Sequence, residues 1–334
     1  MAMTDSDPLD GLRTGIRVVV RQRLEHGVTD ALGDLVGIDA DTVSVRTRRG
    51  VVVINRAAVV AAKEVPPRST RRGAAHLAVS RHDLERIMVE GWPPLERADL
   101  GGWLLRAASG FTGRANSVLP LGDPGMPWSQ AVDHCERWYV ERGLRCQFSL
   151  FGPTGFALAE DPLAAELLGR GYEPFSGAEV LTAATRALPS ETPDSVGAHV
   201  LIESTPSQTW WETWAAWDAR VTPAEESDAA KAARAVLCGS PEQLFASLHR
   251  DGAVVGVARV AFAHAWAGVS ALQVASDHRR EGVASQLVSA LADTARARGI
   301  RSMYLQVAHG NSPARGLFTG LGFSIHHEYR YLGR

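Results

Sequence analysis

Cysteine, long apolar runs and an excess charge of either sign are all scarce in this sequence of 334 residues. The three cysteines form no CxxC pair and no cluster with histidine, which argues against a disulfide scaffold and against a zinc site. No run approaches the roughly 18–20 apolar residues of a membrane span, and the start of the chain lacks the basic and apolar regions of a signal peptide. We therefore expect a cytoplasmic protein that crosses no membrane and holds no metal.

Charge is almost balanced: lysine and arginine number 35, aspartate and glutamate number 37, and the formal net charge is −2. No net field then draws nucleic acid to the protein, and we do not expect it as a partner. One local cluster, Arg46, Arg48 and Arg49, lies in a predicted hairpin. A solvated hairpin is the simpler interpretation, and a docking surface for an acidic protein or for nucleic acid is the alternative.

The chain divides by composition into three units. Short β-rich runs separated by tight turns predict a small barrel at the start. Two later units repeat one order of elements: a helix that ends at an Arg-Gly step, a strand, a second helix and a glycine followed by an aromatic residue. Segments rich in Pro, Ser, Thr and Arg separate the units. The predicted barrel, linker, first repeat, linker and second repeat are residues 1–67, 68–79, 80–186, 187–198 and 199–334.

The stretch 270–290 is typical of an anion-binding loop. An apolar run ends near Ser276, and the loop Arg279–Ala284 leads into a helical pattern. Backbone N–H groups at a helix start have no intrahelical partners and lie at the positive end of the helix dipole, so a pyrophosphate can accept several of them. The matching stretch of the first repeat, LGDPGMPW at 121–128, has no arginine and has two prolines that cannot donate. Only the second repeat is therefore predicted to bind a phosphate-bearing cofactor.

These motifs resemble a known family. The loop Arg279–Ala284 resembles the [Q/R]-x-x-G-x-[G/A] pyrophosphate loop of GCN5-related N-acetyltransferases (GNATs), and residues 311–323 resemble their later N…A…LY…LGF segment. The resemblance is firm over 200–334, and 80–186 resembles a degenerate second copy. With GFTGRANS at 110–117, the whole chain resembles actinobacterial tandem GNAT proteins that carry an SH3-like barrel at the N-terminus.

The resemblance implies an α/β fold with a mixed sheet: a small SH3-like β-barrel, a degenerate GNAT domain and a catalytic GNAT domain. It implies acetyl-CoA as the acyl donor and an amine of a small molecule or a protein lysine as the acceptor. Strand, loop and helix residues would hold the pantetheine arm, the pyrophosphate and the thiol end. These implied residues are Val274, Ser276, Arg279, Arg280, Gly282, Val283, Ala284, Ser285, Asn311 and Phe318.

Two departures from the family pattern concern proton transfer. The tyrosine that protonates the leaving thiolate in many members falls at Phe318, and the strand 269–274 has no glutamate to act as general base. A thiol pKa near 8.5 lets the thiolate leave readily, whereas an amine pKa near 10.4 makes the neutral amine cost roughly 4–5 kcal/mol at pH 7. Removing the acceptor proton is thus the larger problem. The candidates for proton transfer are Tyr329, Tyr331, His327 and His264.

We do not expect a metal site at the pair His326 and His327. Adjacent residues of a strand point to opposite faces, so the two rings should not share one ion.

The acceptor site has several candidates. Tryptophans at helical spacing, Trp210, Trp214 and Trp217, predict a core stripe, with one wall of the acceptor pocket as the alternative. The paired carboxylates Glu225 and Glu226 are expected to be solvated; the alternative is that they attract a cationic amine. The motif at 110–117 either builds part of the acceptor site or fixes the contact between the repeats. The candidate residues are Trp214, Glu225, Phe111, Arg114 and Asn116.

The sequence therefore predicts an N-acetyltransferase in which the amine attacks the thioester directly, in a ternary complex. No cysteine or serine is placed by motif as a nucleophile. The alternative is a non-catalytic acyl-CoA-binding sensor or adaptor, suggested by Phe318 and the missing glutamate. A third hypothesis gives the barrel a protein partner and lets it present a lysine of a DNA-associated protein.

Overall fold

The structure, a computed structural model, describes residues 7–9, 12–24, 27–47, 50–65, 75–190, 198–216 and 227–334. The chain divides into two compact units, Met1–Arg68 and Ser69–Arg334. No helix in the described ranges is long and apolar enough to cross a membrane. Of the predicted linkers, residues 68–74 and 191–197 lie outside the described residues.

The first unit is an antiparallel sheet of five strands, in the order β4-β3-β2-β1-β5. Alternating apolar residues such as Val18, Val20, Val43 and Val45 point into its core, as the period of two in a strand requires. A barrel would need pairing between β4 and β5, and the described residues show none, so the closed barrel that the sequence predicts is not found. The strands are β1 Arg17–Leu24, β2 Gly27–Ile38, β3 Thr42–Thr47, β4 Gly50–Asn55 and β5 Val59–Glu64.

The second unit contains eight helices and eleven strands in its described ranges. The helices are α1 Ala75–Ala78, α2 Arg81–Gly91, α3 Trp128–Val140, α4 Pro162–Gly169, α5 Gln208–Ala215, α6 Asp228–Leu237, α7 Val283–Ala297 and α8 Ser312–Leu321. The strands are β6 Glu96–Leu100, β7 Trp103–Ala107, β8 Leu119–Pro120, β9 Gln147–Gly152, β10 Glu173–Ala184, β11 Ala198–Glu203, β12 Glu242–Arg250, β13 Ala253–Ala263, β14 Trp266–Val274, β15 Ser302–Ala308 and β16 Ser324–Gly333.

One mixed sheet of eight strands runs through this unit, in the order β11-β12-β13-β14-β15-β10-β16-β9. Only β14 and β15 are parallel, and the other pairs are antiparallel. Strand β10 comes from the first predicted repeat but lies between β15 and β16 of the second. Both repeats therefore contribute to a single sheet, and a smaller sheet, β6-β7-β8, completes the unit.

Helix α7 shows why the sequence pattern succeeds locally. Val283, Leu287, Val288 and Leu291 are all buried against the sheet, as the predicted apolar stripe requires. The order α3, β9, α4 in the first repeat matches α7, β15, α8 in the second.

Candidate active site

A cleft opens in the middle of the sheet where β14 and β15 diverge. The two strands pair only from Trp266–Gly268 to Ser302–Tyr304. Beyond that point they separate around a cavity of about 280 Å³, which is lined by β14 from Val269 to Gln273 and by β15 from Leu305 to Ala308. Backbone groups that would pair in a continuous sheet are thus available to a bound molecule.

A β-bulge in β14 shapes this cleft. Val257 faces Gln273 and Arg259 faces Ser270, so Ala271 and Leu272 together oppose one residue of β13. Ala271 has a φ of +52°, and a bulge of this kind re-aims the backbone beside a site.

The predicted pyrophosphate loop lies at the start of α7. Gly282 is the N-cap residue with a φ of +81°, and no side chain caps the helix. The first N–H groups of α7 therefore have no side-chain cap and are available to an anion. A Cβ at Gly256 would lie 2.5 Å from Cγ1 of Val283, so glycine lets β13 approach the first turn of α7 closely. The uncapped start of α7 suits an anion such as a pyrophosphate.

Glu281 carries the negative charge of this loop, and its partners balance that charge. Its carboxylate contacts Arg250 and lies 3.1 Å from Nδ1 of His278. The hydrogen bond with His278 is the main cause of a lowered pKa of Glu281, and the bond with Arg250 adds to it. Arg279 and Arg280 are exposed on the same loop.

Two predicted cofactor residues of α8 also line the cleft. Asn311 caps the helix, because its Oδ1 accepts a hydrogen bond of 3.2 Å from the N–H of Ala314. Phe318 is buried and lines the cavity with a phenyl ring that has no proton to donate. Of the other predicted residues, Val274 ends β14, Ser276 starts a short 3₁₀ turn, and Ala284 and Ser285 lie in the first turn of α7.

The first repeat closes one side of the cleft. Trp92, Phe111, Thr112 and Arg114 line the cavity, together with Trp214 of α5. The indole N–H of Trp92 donates to the hydroxyl oxygen of Thr112 at 2.9 Å, and the guanidinium carbon of Arg114 lies 4.5 Å from the centroid of the Trp92 ring. Two predicted acceptor residues of the 110–117 motif, with Trp214, are thus brought to the cavity.

The remaining acceptor candidates have other positions. Asn116 uses its whole amide to hold its own turn: its oxygen accepts from Ala108 and Gly110, and its nitrogen donates to Phe111 and Thr112. It does not line the cavity. Residues 217, 225 and 226, the sites of Trp217, Glu225 and Glu226, lie outside the described residues.

Trp210 belongs to the core. Its indole N–H donates to the carbonyl oxygens of Ala246 and Ala258, at 3.1 and 3.2 Å.

The candidates for proton transfer are separated by the structure. Tyr329 lines a small second pocket, and its hydroxyl donates to Oε1 of Gln306 at 2.8 Å. Tyr331 is stacked on Phe175 and does not line either pocket. Burial raises the pKa of both tyrosines, and that of Tyr331 rises well above its ordinary value. His264 is exposed in the turn between β13 and β14, at the far end of β14 from the bulge.

His327 is fully buried, and the expectation that it and His326 point to opposite faces is wrong. Their Nδ1 atoms are only 2.8 Å apart. The cause is a second bulge: Val180 faces His327 and Leu181 faces Ile325, so His326 is an extra residue in β16. Within the described ranges no group of three or more His, Cys, Asp or Glu residues is placed to hold a metal.

Almost nothing in the sequence indicates the second pocket. It adjoins the first, since Trp92, Arg114 and Gln306 line both. One local signal existed: Glu85 lies on the apolar face of α2 with Leu84, Met88 and Val89, where a glutamate is unexpected. The residues lining the second pocket are Glu85, Met88, Trp92, Arg106, Arg114, Ser149, Gln306 and Tyr329.

The divided sheet, the uncapped start of α7 and the α8 residues beside the cleft define a GCN5-related N-acetyltransferase. The chain belongs to the family described as "Probable histone acetyltransferase Rv0428c C-terminal", which matches residues 80–332. This confirms the resemblance to GCN5-related N-acetyltransferases, and the protein is an acetyltransferase. Family membership favours an enzyme over the non-catalytic sensor.

Comparisons with individual proteins agree. The chain is 31% identical over 328 residues to the probable histone acetyltransferase Rv0428c of Mycobacterium tuberculosis, which covers 95% of this chain and 94% of that protein. It is 27% identical over 248 residues to the N-acetyltransferase YobR of Bacillus subtilis, with 74% of this chain and 96% of the relative covered. A tandem GNAT protein from the clavulanic acid biosynthesis pathway has a similar fold, with a TM-score of 0.55, 14% identity, and 79% and 90% of the two chains covered.

Proposed function

We propose that the protein transfers the acetyl group of acetyl-CoA to a primary amine, on a small molecule or a protein lysine, by direct attack in a ternary complex. The proposal rests on the position of the cleft. It runs between the diverging strands β14 and β15, and it adjoins a second pocket built largely by the first repeat. The donor and the acceptor would then have separate binding regions that meet at Trp92, Arg114 and Gln306.

The residues for the donor follow from the loop and the cleft. The N–H groups of Val283, Ala284 and Ser285 would donate hydrogen bonds to the pyrophosphate, with Arg279 and Arg280 as cations beside it. Gly282 supplies the positive φ that this turn requires. Val274 and Ser276 would bind the pantetheine arm through their backbone. Asn311 and Phe318 would contact its thiol end.

Acetyl-CoA, as a substrate, supplies a thioester carbonyl carbon that an amine can attack. The bulge at Ala271 supports this step, since a backbone N–H there would polarise the carbonyl oxygen. Phe111, Arg114 and Trp214 would border the acceptor. Tyr329 is the candidate acid that lies nearest the cleft, through Gln306, while Tyr331 and His327 would act behind it.

Three predictions from the sequence, on the first unit, on the domain boundary and on the cellular location, are kept here as proposals. The first unit is proposed to be SH3-like and to contact a protein partner, and the division of the second unit at residues 187–198 is proposed as a boundary between a degenerate and a catalytic GNAT domain. A cytoplasmic location is proposed on the composition alone.

The test uses the purified full chain. Acetyl-CoA binding is measured by calorimetry, and CoA release with a thiol reagent is followed across a panel of amines. Gly282→Asp should weaken acetyl-CoA binding at least 100-fold, because it places a negative charge and a Cβ where the pyrophosphate binds, and Arg279→Ala should weaken it less.

Gly299→Asp is the matched control. Gly299 has a similar φ of +71° and open space around it, at the other end of α7. This variant should bind acetyl-CoA like the wild type. A wild-type protein that binds no acetyl-CoA, or that acetylates no amine, overturns the proposed function.

A further inference from the structure

Glu85 lies in the second pocket with one carboxylate oxygen committed and the other available. Its side chain is only 6% exposed, and its Oε1 lies 2.9 Å from Nε2 of His327. Its Oε2 forms no hydrogen bond with any residue in the described ranges, yet it is not among their fully buried atoms that lack a partner, so it keeps some accessible surface. Oε2 can therefore be reached from the pocket that Glu85 lines.

Hydrogen bonds connect Glu85 to His327, His327 to His326, and His326 to the carbonyl oxygen of Val79. They determine which ring nitrogens carry a proton. The carbonyl oxygen of Val79 lies 3.0 Å from Nε2 of His326, so that nitrogen carries a proton. Burial lowers the pKa of His326 to about 4, so at neutral pH its Nδ1 is an acceptor. His327 then donates from Nδ1, across 2.8 Å. One further proton lies between Nε2 of His327 and Oε1 of Glu85, whichever of the two holds it.

The size of the second pocket suits a small polar group. Its free volume is about 10 Å³, which is about the space of one water molecule. An ammonium or amine nitrogen is of that size. Because Trp92, Arg114 and Gln306 line this pocket and the cleft alike, a nitrogen bound there faces the cleft in which the thioester would lie.

The charges around the pocket are unequal. Arg106 and Arg114 face a single carboxylate, Glu85. Arg106 bonds to Ser117, at 3.0 Å to the carbonyl oxygen and 2.7 Å to the hydroxyl, and Arg114 stacks on Trp92. Neither guanidinium pairs with a carboxylate in the described part of the chain. Two cations favour the neutral form of a nearby amine and leave positive charge for an anionic group of the acceptor.

We propose that the first repeat supplies the acceptor site: Glu85 takes a proton from the acceptor amine, and Arg114 pairs with an anionic group on the same molecule. The substrate class is a small primary amine that carries a carboxylate or a phosphate. This inference rests on the proposed function, and it assigns to Glu85 the general base that β14 lacks.

Each of the three protons of the acceptor ammonium has a destination in this reaction. The acceptor ammonium gives one proton to Oε2 of Glu85, while the proton shared with Oε1 is held by Nε2 of His327, and the neutral nitrogen forms a bond to the acetyl carbonyl carbon. The carbon–sulfur bond breaks, and its electron pair leaves with the sulfur. A second proton passes from the nitrogen to that sulfur, which gives the free thiol. The third proton stays on the amide, and Glu85 releases its proton to solvent before the next turnover.

Three small probes of similar size separate the two roles. β-Alanine is a strongly basic amine with a carboxylate, n-propylamine lacks the carboxylate, and aminooxyacetate keeps the carboxylate but is already neutral at nitrogen at pH 7. The wild type should show a kcat/KM at least 10-fold higher for β-alanine than for n-propylamine. Arg114→Gln should reduce that preference to within twofold.

Glu85→Gln should lower kcat/KM for β-alanine by about 100-fold or more, which is the range of general base catalysis. It should lower kcat/KM for aminooxyacetate less than fivefold, because no proton has to leave before attack. A purely structural role would reduce both rates equally. The matched control is Glu90→Gln, a half-buried carboxylate of the same helix that pairs with Arg97 and should behave as the wild type.

Each outcome decides a different claim. If no amine is acetylated, the proposed function fails and this inference with it. If the wild type is active but shows no preference for β-alanine, or Glu85→Gln affects both carboxylate probes equally, the inference alone is overturned. Should Glu85→Gln lose acetyl-CoA binding through misfolding, Glu85→Asp replaces it: a loss of about 10-fold on β-alanine and none on aminooxyacetate supports the proposal, and equal losses overturn it.

Discussion

The guanidinium Nη1 of Arg259 donates a hydrogen bond of 2.9 Å to the carbonyl oxygen of Gly91, and this bond joins β13 to the end of α2. Nη1 also donates to the hydroxyl of Ser270, while Nε donates to the carbonyl oxygen of Leu237 and Nη2 to the hydroxyl of Ser240. Arg259 is completely buried, and burial lowers its pKa to about 10. A buried cation held by neutral dipoles thus fixes the helix that carries Glu85 to the sheet that carries the cleft.

Arg259→Lys should therefore destabilise the protein by about 2–4 kcal/mol. A lysine keeps the charge but cannot reach the several acceptors of the guanidinium fork, and unpaired buried carbonyl groups cost about 1–3 kcal/mol each. Urea unfolding measures the change. Arg97→Lys, at an exposed ion pair, is the control and should cost less than about 0.5 kcal/mol. A loss of stability as small as that of the control would show that the fork is not needed.

Gly256→Ala tests the packing of β13 against the first turn of α7. The new Cβ would lie 2.5 Å from Cγ1 of Val283 and 3.2 Å from Cδ1 of Leu287, so α7 must move away from the strand. We expect a loss of about 1–3 kcal/mol in stability, as for overpacking of a core, and acetyl-CoA binding at least 10-fold weaker. Calorimetry and urea unfolding measure the two effects.

Gly320→Ala is the matched control, since it adds the same methyl group to helix α8, where nothing lies within 4 Å. It should be neutral or slightly stabilising, because alanine favours a helix. Equal acetyl-CoA affinity in wild type and Gly256→Ala would contradict the close approach.

Phe318→Tyr restores the phenol that many family members have at this position. The residue is buried and lines the cleft, so the new hydroxyl would lie where the leaving sulfur is expected. We expect kcat to change less than threefold, because a thiolate leaves readily near neutral pH and removing the acceptor proton is the larger cost. Steady-state CoA release with the best acceptor measures it. A 10-fold gain would mean that protonation of the thiolate limits the wild type.

Local patterns predicted the parts of the site that are local in the chain. Helix α7, its apolar stripe and the glycine before it are set within about 15 residues, and all were accessible to periodicity and motif. The insertion of β10 between β15 and β16 was not, because pairing between Leu181 and Leu305 leaves no periodic trace in the sequence. The contact between Glu85 and His327 was missed for the same reason, since 242 positions separate the two residues.

The bulges account for the clearest failure of the sequence rules. A period of two placed His326 and His327 on opposite faces, but the extra residue in β16 brings their rings together. A bulge depends on the partner strand, and the partner of His327 is Val180, which lies in the other repeat. No rule that reads β16 alone could have located it.

His326 should also make the stability of the protein depend on pH in a defined window. Burial lowers its pKa from about 6.5 to about 4 in the folded protein. Between these values the unfolded chain binds a proton that the folded protein excludes, so the free energy of unfolding rises with pH across this range. The contribution is fully present above pH 6.5 and is lost as the pH falls towards 4. Because the ring is partly exposed, solvent screening limits it to about 1 kcal/mol.

Urea unfolding of wild type and His326→Asn at pH 7.5 and pH 5.0 tests this window. Burial lowers the pKa of His76 and His82 as well, so both proteins should lose stability on acidification. The wild type should lose about 0.6 kcal/mol more than His326→Asn, because only the wild type has the ring whose protonation the fold opposes and pH 5.0 lies a little past the middle of the window. His264→Asn, in the exposed turn, should follow the wild type. If His326→Asn loses as much stability as the wild type, the imidazole of His326 is not held neutral by the fold, and the hydrogen bond between the two Nδ1 atoms runs from His326 to His327.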